Sequence, residues 1–279
     1  MKIIKTVEEM KAWSASRRAD GKKISFVPTM GALHQGHLSL LKKGKELADD
    51  LVLSIYVNPA QFAPTEDLSS YPRDLDGDLT KAETCGVSAV FFPSDDTMYP
   101  CEYRTYVSVE NLTEKLCGIS RPSHFRGVTT VVAKLFNIVS PNFAIFGEKD
   151  YQQLIVIKRM VADLNMSLEI IASPIVRESD GLAMSSRNAY LTKEERTAAL
   201  SINAGLNKAK KAAMAGEKNS SKIVGIVAQE IESSKLGKID YINLVDAKNL
   251  DNIPSCDRPA RLLVAAFFGK TRLIDNVSI

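Results

Sequence analysis

Short apolar runs and amphipathic runs take turns along the first 175 residues or so, and this alternation limits the fold of the chain more than any other feature. ISFVPT reads as a buried strand, and HLSLLKKGKELADD as a helix with Leu40, Gly44, Leu47 and Ala48 on one face. LVLSIYV is the next strand, ended by the turn pair Asn58-Pro59. DLDGDLTKAETCG reads as a helix closed by Gly86, VSAVFFP as a strand, GVTTVVAKLFNIVS as a strongly apolar helix and NFAIF as a strand leading into GEKD. YQQLIVIKRMVADLN is a further amphipathic helix, followed by a strand at SLEIIASPIV. Repeated strand–helix–strand units predict an α/β fold with a doubly wound parallel sheet covered on both faces.

After residue 175 the order changes. Two helices, near Lys193–Ala213 and Ser221–Ser234, precede expected strands at DYINLVDA and RLLVAAFFG, which predicts a smaller α+β domain over 176–279 behind a first domain over 1–175. The stretch from Ser94 to Phe125 is irregular and too long for a plain connection, which points to function.

Ligands of open parallel sheets bind beyond the carboxyl ends of the strands, and four polar stretches are expected there. The first, TMGALHQGH, holds two of the three histidines of the chain. His34 and His37, at i and i+3, share one face of an opening helical turn, where free N–H groups and the helix dipole favour phosphate. The same pair also fits half of a metal site, which would need further ligands nearby. VNPAQF supplies Asn58 and Gln61, amides suited to a hydroxy-carboxylate. GEKDYQQ supplies Gly147 for close backbone approach, Lys149 as a cation and Asp150 as a helix cap. GLAMSSRN joins the hydroxyls of Ser185 and Ser186 to the guanidinium of Arg187. Each stretch alone also fits a plain turn, capped helix or linker; their common position is what points to a site.

Other chemistries are disfavoured. No GxxxxGK[ST] or GxGxxG loop occurs, no GxSxG elbow, and no Cys lies near a His, so a covalent acyl-enzyme is not indicated. Cys85, Cys101, Cys117 and Cys256 are scattered with no CxxC pair, as expected of a reduced, cytoplasmic setting. The opening MKIIKTVEEMKAW lacks the apolar stretch of a signal peptide, and no apolar run approaches a membrane span. A formal net charge of +3 argues against a nucleic-acid partner.

TMGALHQGH resembles the HIGH signature of class I aminoacyl-tRNA synthetases and related nucleotidyltransferases, and AMSSR resembles their KMSKS-like signature. The full set, with VNPAQF, YPRD, HFRGV, FGEKDYQQ, VRESDG and LAMSSRN, resembles the pantothenate synthetases (pantoate–β-alanine ligases) without a break from Pro28 to about Leu191. The resemblance implies a Rossmann-like first domain and an ATP-dependent condensation of (R)-pantoate with β-alanine through a pantoyl adenylate, releasing AMP and pyrophosphate. ATP would be a substrate and Mg²⁺ its companion, with no assigned protein ligands beyond the open choices Asp76, Asp78 and Asp150.

The resemblance also carries residue roles. Met30, Gly31, Ala32, Leu33, His34, Gln35, Gly36 and His37 would line the ATP site with Gly147, Glu148, Lys149 and Asp150, and Val176, Met184, Ser185, Ser186 and Arg187 would complete it. His34, His37, Lys149 and Arg187 would be catalytic, His37 as the acid-type residue. Gln61 and Gln153 would hold pantoate, with Gln61 also near β-alanine, and Asn58, Arg121, His124 and Arg126 are weaker candidates. The second signature departs from KMSKS by placing Arg187 where the last Lys-Ser would lie. A homodimer is implied too. Three rivals stand beside this reading: a nucleotidyltransferase that makes a dinucleotide cofactor, a tRNA-binding synthetase-like module, and a substrate-free nucleotide sensor, the last disfavoured by Lys149 and both histidines.

Overall fold

The computed structural model describes residues 1–64 and 66–279. These form two compact units, interleaved in sequence: one of residues 1–114, 118–148 and 156–174, the other of residues 115–117, 149–155 and 175–279.

The first unit is built on β1 (Lys2–Ile4), β2 (Ile24–Thr29), β3 (Asp50–Ile55), β4 (Ala89–Phe91), β5 (Phe143–Gly147) and β6 (Glu169–Ser173). All pairs are parallel, in the order β1-β4-β3-β2-β5-β6. Alternate residues of these strands serve opposite faces. Val27, Leu51, Leu53, Val90 and Ile145 pack with Leu41 of α2 (Gln35–Leu47) and Ala82 of α3 (Leu75–Thr84). Phe26 and Phe146 instead meet the ring of Phe136 edge-on. Phe136 belongs to α6 (His124–Val139), a helix apolar on nearly every side and buried accordingly. With both faces covered, near-continuous apolar strands such as ISFV are what the sheet requires.

The chain steps from β2 through β3 to β4 in one direction and from β5 to β6 in the other, so the winding reverses between β2 and β5. Their ladder covers only Ser25–Phe143 and Phe26–Ala144. Pro28, with no N–H to donate, lies two residues past its end. A crevice at the carboxyl ends follows from such a reversal, and it is bordered by the residues after Thr29 and after Gly147.

In the first unit, outside the irregular stretch, β1 and α1 (Val7–Ala19) have no counterpart in the sequence reading. The strand expected to run to Val176 ends at Ser173, because Pro174 removes the next donor. The irregular stretch carries only two four-residue helices, α4 (Asp95–Met98) and α5 (Cys117–Ser120). Beyond β5 a single 3-10 turn, Glu148–Asp150, leads into α7 (Tyr151–Asp163).

The second unit contains α8 (Lys193–Met214) and α9 (Ser220–Ser233) over an antiparallel sheet β7 (Gly237–Asp246), β8 (Ala260–Phe268) and β9 (Thr271–Ser278) in that order. α8 starts where Thr192 and Glu195 cap each other, each side chain accepting the other's backbone N–H. Ile202, Leu206, Val227, Ile231, Leu262, Val264 and Phe268 fill the core between helices and sheet. β9 is the third strand that the sequence reading left unassigned.

Candidate active site

Beyond β2 the chain makes two consecutive left-handed residues, Gly31 at φ +83° and Ala32 at φ +50°. A Cβ on Gly31 would lie 3.0 Å from Asp78 Oδ2 and 3.1 Å from Ile55, so a side chain there would press on both neighbours and strain the left-handed backbone. The turn aims the N–H groups of Ala32 and Leu33 at the Asp78 carboxylate, at 2.8 and 2.6 Å. Lys81 Nζ holds the Leu33 carbonyl at 2.9 Å. Asp78 is 1% exposed, and burial pushes its carboxyl up against the opposing pull of these two N–H donors and Lys81. The carboxylate, one of three open choices for a magnesium ligand, fastens the loop in this structure. Asp78→Asn keeps one acceptor and brings an N–H₂ against a backbone donor, so a loss of about 1–3 kcal/mol is expected. Thermal unfolding of the variant, with the KM for nucleotide, checks this.

The fastened loop delivers the histidines. His34 is the N-cap of α2, its Nδ1 accepting from Gly36 N at 3.1 Å, while His37 Nδ1 accepts from His34 N at 3.3 Å. A backbone N–H can only donate, so both Nδ1 atoms are acceptors and both neutral rings carry hydrogen on Nε2. The rings stack with centroids 4.1 Å apart at 29°. The result is a pair of oriented Nε2–H donors at a helix N-terminus, an anion-receptive place. Gly147, at the end of β5, has nothing within 4 Å of where a Cβ would lie, which leaves room beside its backbone.

Beyond β3, Asn58 caps the 3-10 turn Pro59–Gln61. The Gln61 carbonyl receives hydrogen bonds from His124 Nδ1 at 2.9 Å and Arg121 at 3.4 Å. Arg121 also forms a two-pronged pair with Glu66 at 2.5 and 2.7 Å. Burial raises the Glu66 carboxyl, yet the Arg121 fork and the Ala63 N–H outweigh it and hold it below the ordinary carboxylate range. Arg126 stacks on Tyr106, 3.7 Å from the ring centre. Arg121 and His124, read from sequence as weaker ligand candidates, thus brace the turn carrying Gln61, while Arg126, the third such candidate, is held by Tyr106.

The second unit gathers Lys149, Val176, Met184 and Ser185 through Arg187. Met184 N donates to Val176 O at 3.0 Å across a tight hairpin turned at Gly181. Ser185 caps the next 3-10 turn, accepting from Arg187 N at 3.3 Å. Asn188 ties this turn down, donating to Glu178 at 2.6 Å and to the Ala183 carbonyl at 3.1 Å. Arg196 secures Glu178 in turn, and Arg177 grips the buried Asp275 at 2.6 and 3.0 Å. Lys149 and Ser185 line one small cavity with Asn188 and Asp275. The stretch GLAMSSRN therefore belongs to this hairpin rather than to a strand end of the parallel sheet. Gln153 is half-buried on α7. Its neighbour Gln152 is 4% exposed and spent internally, donating to Lys115 O and accepting from Cys117 N.

Sequence reasoning did not single out Asp78 as a loop anchor, nor Glu66, Asn188 or Arg196. Their signal is pairing between residues far apart in sequence, which a single chain read linearly does not display. Among the described residues, no three His, Cys, Asp or Glu side chains come together to hold a metal ion. No helix among them is long and apolar enough to cross a membrane.

Residues 2–278 match the family model described as pantoate-beta-alanine ligase. The chain is 52% identical over 276 residues to the pantothenate synthetase of Syntrophus aciditrophicus, covering 99% of this chain and 96% of the other. Its fold superposes on the crystal structure of pantothenate synthetase from Thermus thermophilus with a TM-score of 0.94, at 40% identity and 99% coverage of both chains. It also resembles the pantoate-beta-alanine ligase of Francisella tularensis complexed with beta-gamma ATP and beta-alanine, with a TM-score of 0.80, 34% identity and coverage of 99% and 97%.

Proposed function

Because the chain belongs to the pantoate–β-alanine ligase family, an ATP-dependent ligase family, we propose that the groups described above run its condensation in two steps. The observation that carries this is the stacked histidine pair, both rings committed by backbone donors to Nε2–H, standing beyond β2 at the reversal of the sheet.

In the first step a pantoate carboxylate oxygen attacks the α-phosphorus of ATP. The bond from that phosphorus to the bridging oxygen breaks, and pyrophosphate leaves with the electron pair. His34 and His37 donate to the phosphate oxygens as charge grows, and Lys149, Ser185, Ser186 and Arg187 supply cation and hydroxyl donors to the same phosphates. Met30 to Gly36, Gly147, Glu148, Asp150, Val176 and Met184 shape the nucleotide site. In the second step the β-alanine amine attacks the acyl carbon, the carbon–oxygen bond to AMP breaks, and the amide nitrogen sheds a proton. Gln61 and Gln153 hold pantoate, and Gln61 lies near the amine. No enzyme nucleophile is needed, since the adenylate is already an activated acyl group.

Magnesium would accompany the nucleotide and offset phosphate charge. Among the described residues no three His, Cys, Asp or Glu side chains form a cage for it, and Asp76, Asp78 and Asp150 stay the choices for a protein ligand. Mass spectrometry of products from ATP and pantoate tests the reading. Without β-alanine a pantoyl–AMP conjugate and pyrophosphate should accumulate, and adding the amine should release AMP and the amide. Recovery of a product that keeps AMP after the amine is added would favour the dinucleotide-forming rival.

The chain is further proposed to work as a cytoplasmic homodimer on small molecules, with neither nucleic acid nor membrane as partner. Edge strand β1, with Ile3 47% exposed, supports a protein contact on the first unit. The apolar residues of IYVNPAQF and FFP do not add to that support, since Ile55, Tyr56 and Phe91 are buried in the protomer's own core. Sedimentation at micromolar concentration should give a dimer; a monomer alone would remove the proposal.

A further inference from the structure

Asn58 is 1% exposed, and every hydrogen-bonding position of its amide is used inside the first unit. Nδ2 donates to Gln61 Oε1 at 3.0 Å and to the Gly127 carbonyl at 3.2 Å. Oδ1 accepts from Ala60 N at 3.3 Å and from the Tyr99 hydroxyl at 2.9 Å. Flipping the amide would set N–H₂ against the Ala60 N–H and oxygen against the Gly127 carbonyl, so one orientation is enforced. With Nδ2 facing it, Gln61 must turn Oε1 inward and Nε2 outward, where Nε2 lies 3.2 Å from the soft acceptor Met30 Sδ. The amide of Gln61 is thereby fixed as a donor.

Tyr99 is itself held. Its ring meets Tyr103 edge-on at 5.1 Å, and Tyr103 meets Tyr106 at 5.5 Å. Lys134 sits 4.1 Å from the Tyr103 ring and 5.2 Å from the Tyr99 ring. Burial first, then the neighbouring tyrosines, push the Tyr99 phenol up, which keeps it a hydroxyl that can donate.

We infer that Tyr99, acting through Asn58, is a positioning and specificity residue: its hydroxyl adds the fourth bond to an amide whose orientation Ala60 N and the Gly127 carbonyl dictate, and so holds the Gln61 amide as an outward N–H donor, at a subsite that demands an acceptor oxygen of the hydroxy-acid substrate. The inference rests on the assignment of Gln61 to pantoate. Asn58 and Tyr99 touch no substrate in this scheme, because Asn58 has no position left to offer and Tyr99 acts behind it.

Tyr99→Phe removes one hydroxyl and leaves the ring in its stack. Steady-state kinetics of the full chain should show the KM for pantoate raised about two- to tenfold, the range of one neutral hydrogen bond, with kcat and the KM values for ATP and β-alanine moving much less. The melting temperature should stay near that of the unsubstituted protein. In a Gln61→Ala background the same change should add nothing further to the pantoate KM, because its only route is gone. A rise of all three KM values together, an additive effect in the Gln61→Ala background, or no change in the pantoate KM would each overturn the inference. Gln61→Ala alone leaving the pantoate KM unmoved would instead sink the pantoate assignment beneath it.

Discussion

Replacing His37 with alanine is expected to slow formation of pantoyl adenylate about a hundred- to a thousandfold, the scale set by losing one pre-organised donor to developing charge. Lys149→Ala should do the same. The measurement is single-turnover adenylate formation without β-alanine, followed by addition of the amine. Alanine at 37 also removes the acceptor that caps His34 N, so a fold defect must be separated from lost chemistry. His37→Asn does this: its Oδ1 stands where Nδ1 stood and keeps the cap, while the outer donor is gone. The Asn variant should unfold at nearly the normal temperature and be about as slow as the Ala variant. If His37→Ala forms the intermediate at the normal rate and stalls only at amide formation, the phosphate role of this histidine is wrong.

The second large effect is steric. Gly127, in the first turn of α6, lets the helix lie directly on the 3-10 turn that carries Gln61. A Cβ there would stand 2.2 Å from the Ala60 carbonyl oxygen and 2.6 Å from Gln61 Cα. Both obstacles are backbone, so neither can rotate away. Gly127→Ala should therefore cost about 3 kcal/mol by overpacking, the upper part of the range for such changes. It should also raise the pantoate KM by moving the turn and breaking the Asn58–Gly127 bond. Thermal unfolding together with pantoate kinetics measures both. Gly147→Ala is the contrasting case, since space is open there, and its stability should barely change.

Much of the first unit was legible because buried parallel strands must be apolar runs and their covering helices must be striped. β1 escaped because three residues, KII, are too few to show a period. α1 escaped because it buries only Met10 and Ser14, which leaves no apolar stripe to read. At the site, residue types at strand ends marked His34, His37, Asn58, Gln61 and Lys149 as chemically apt. Their supports stayed hidden. Asp78 sits 45 positions after Leu33, and Arg121 55 after Glu66. A carboxylate read in isolation fits a metal, a substrate or a backbone loop equally well, and only proximity decides among them. The bonds that Arg121 and His124 make to the Gln61 carbonyl were hidden for the same reason.

The placement of β5 beside β2 has a consequence for how the chain is made. Ile24 N donates to Asn142 Oδ1, 118 positions further on, and β2 has no neighbour on that side until β5 has been synthesised. Closing so long a loop is slow compared with pairing β2 to β3, which is complete by Ile55. For the interval of roughly ninety residues between Ile55 and Phe143, at about 5–20 residues per second, the nascent chain carries ISFVPT with one bare edge. That segment is apolar, rich in strand-forming residues and uncharged, the profile of a sticky template, with Pro28 as its one built-in interruption. A chain cut short before Phe143 is therefore expected to be recovered with chaperones or in aggregates, and never as a smaller nucleotide-binding fragment.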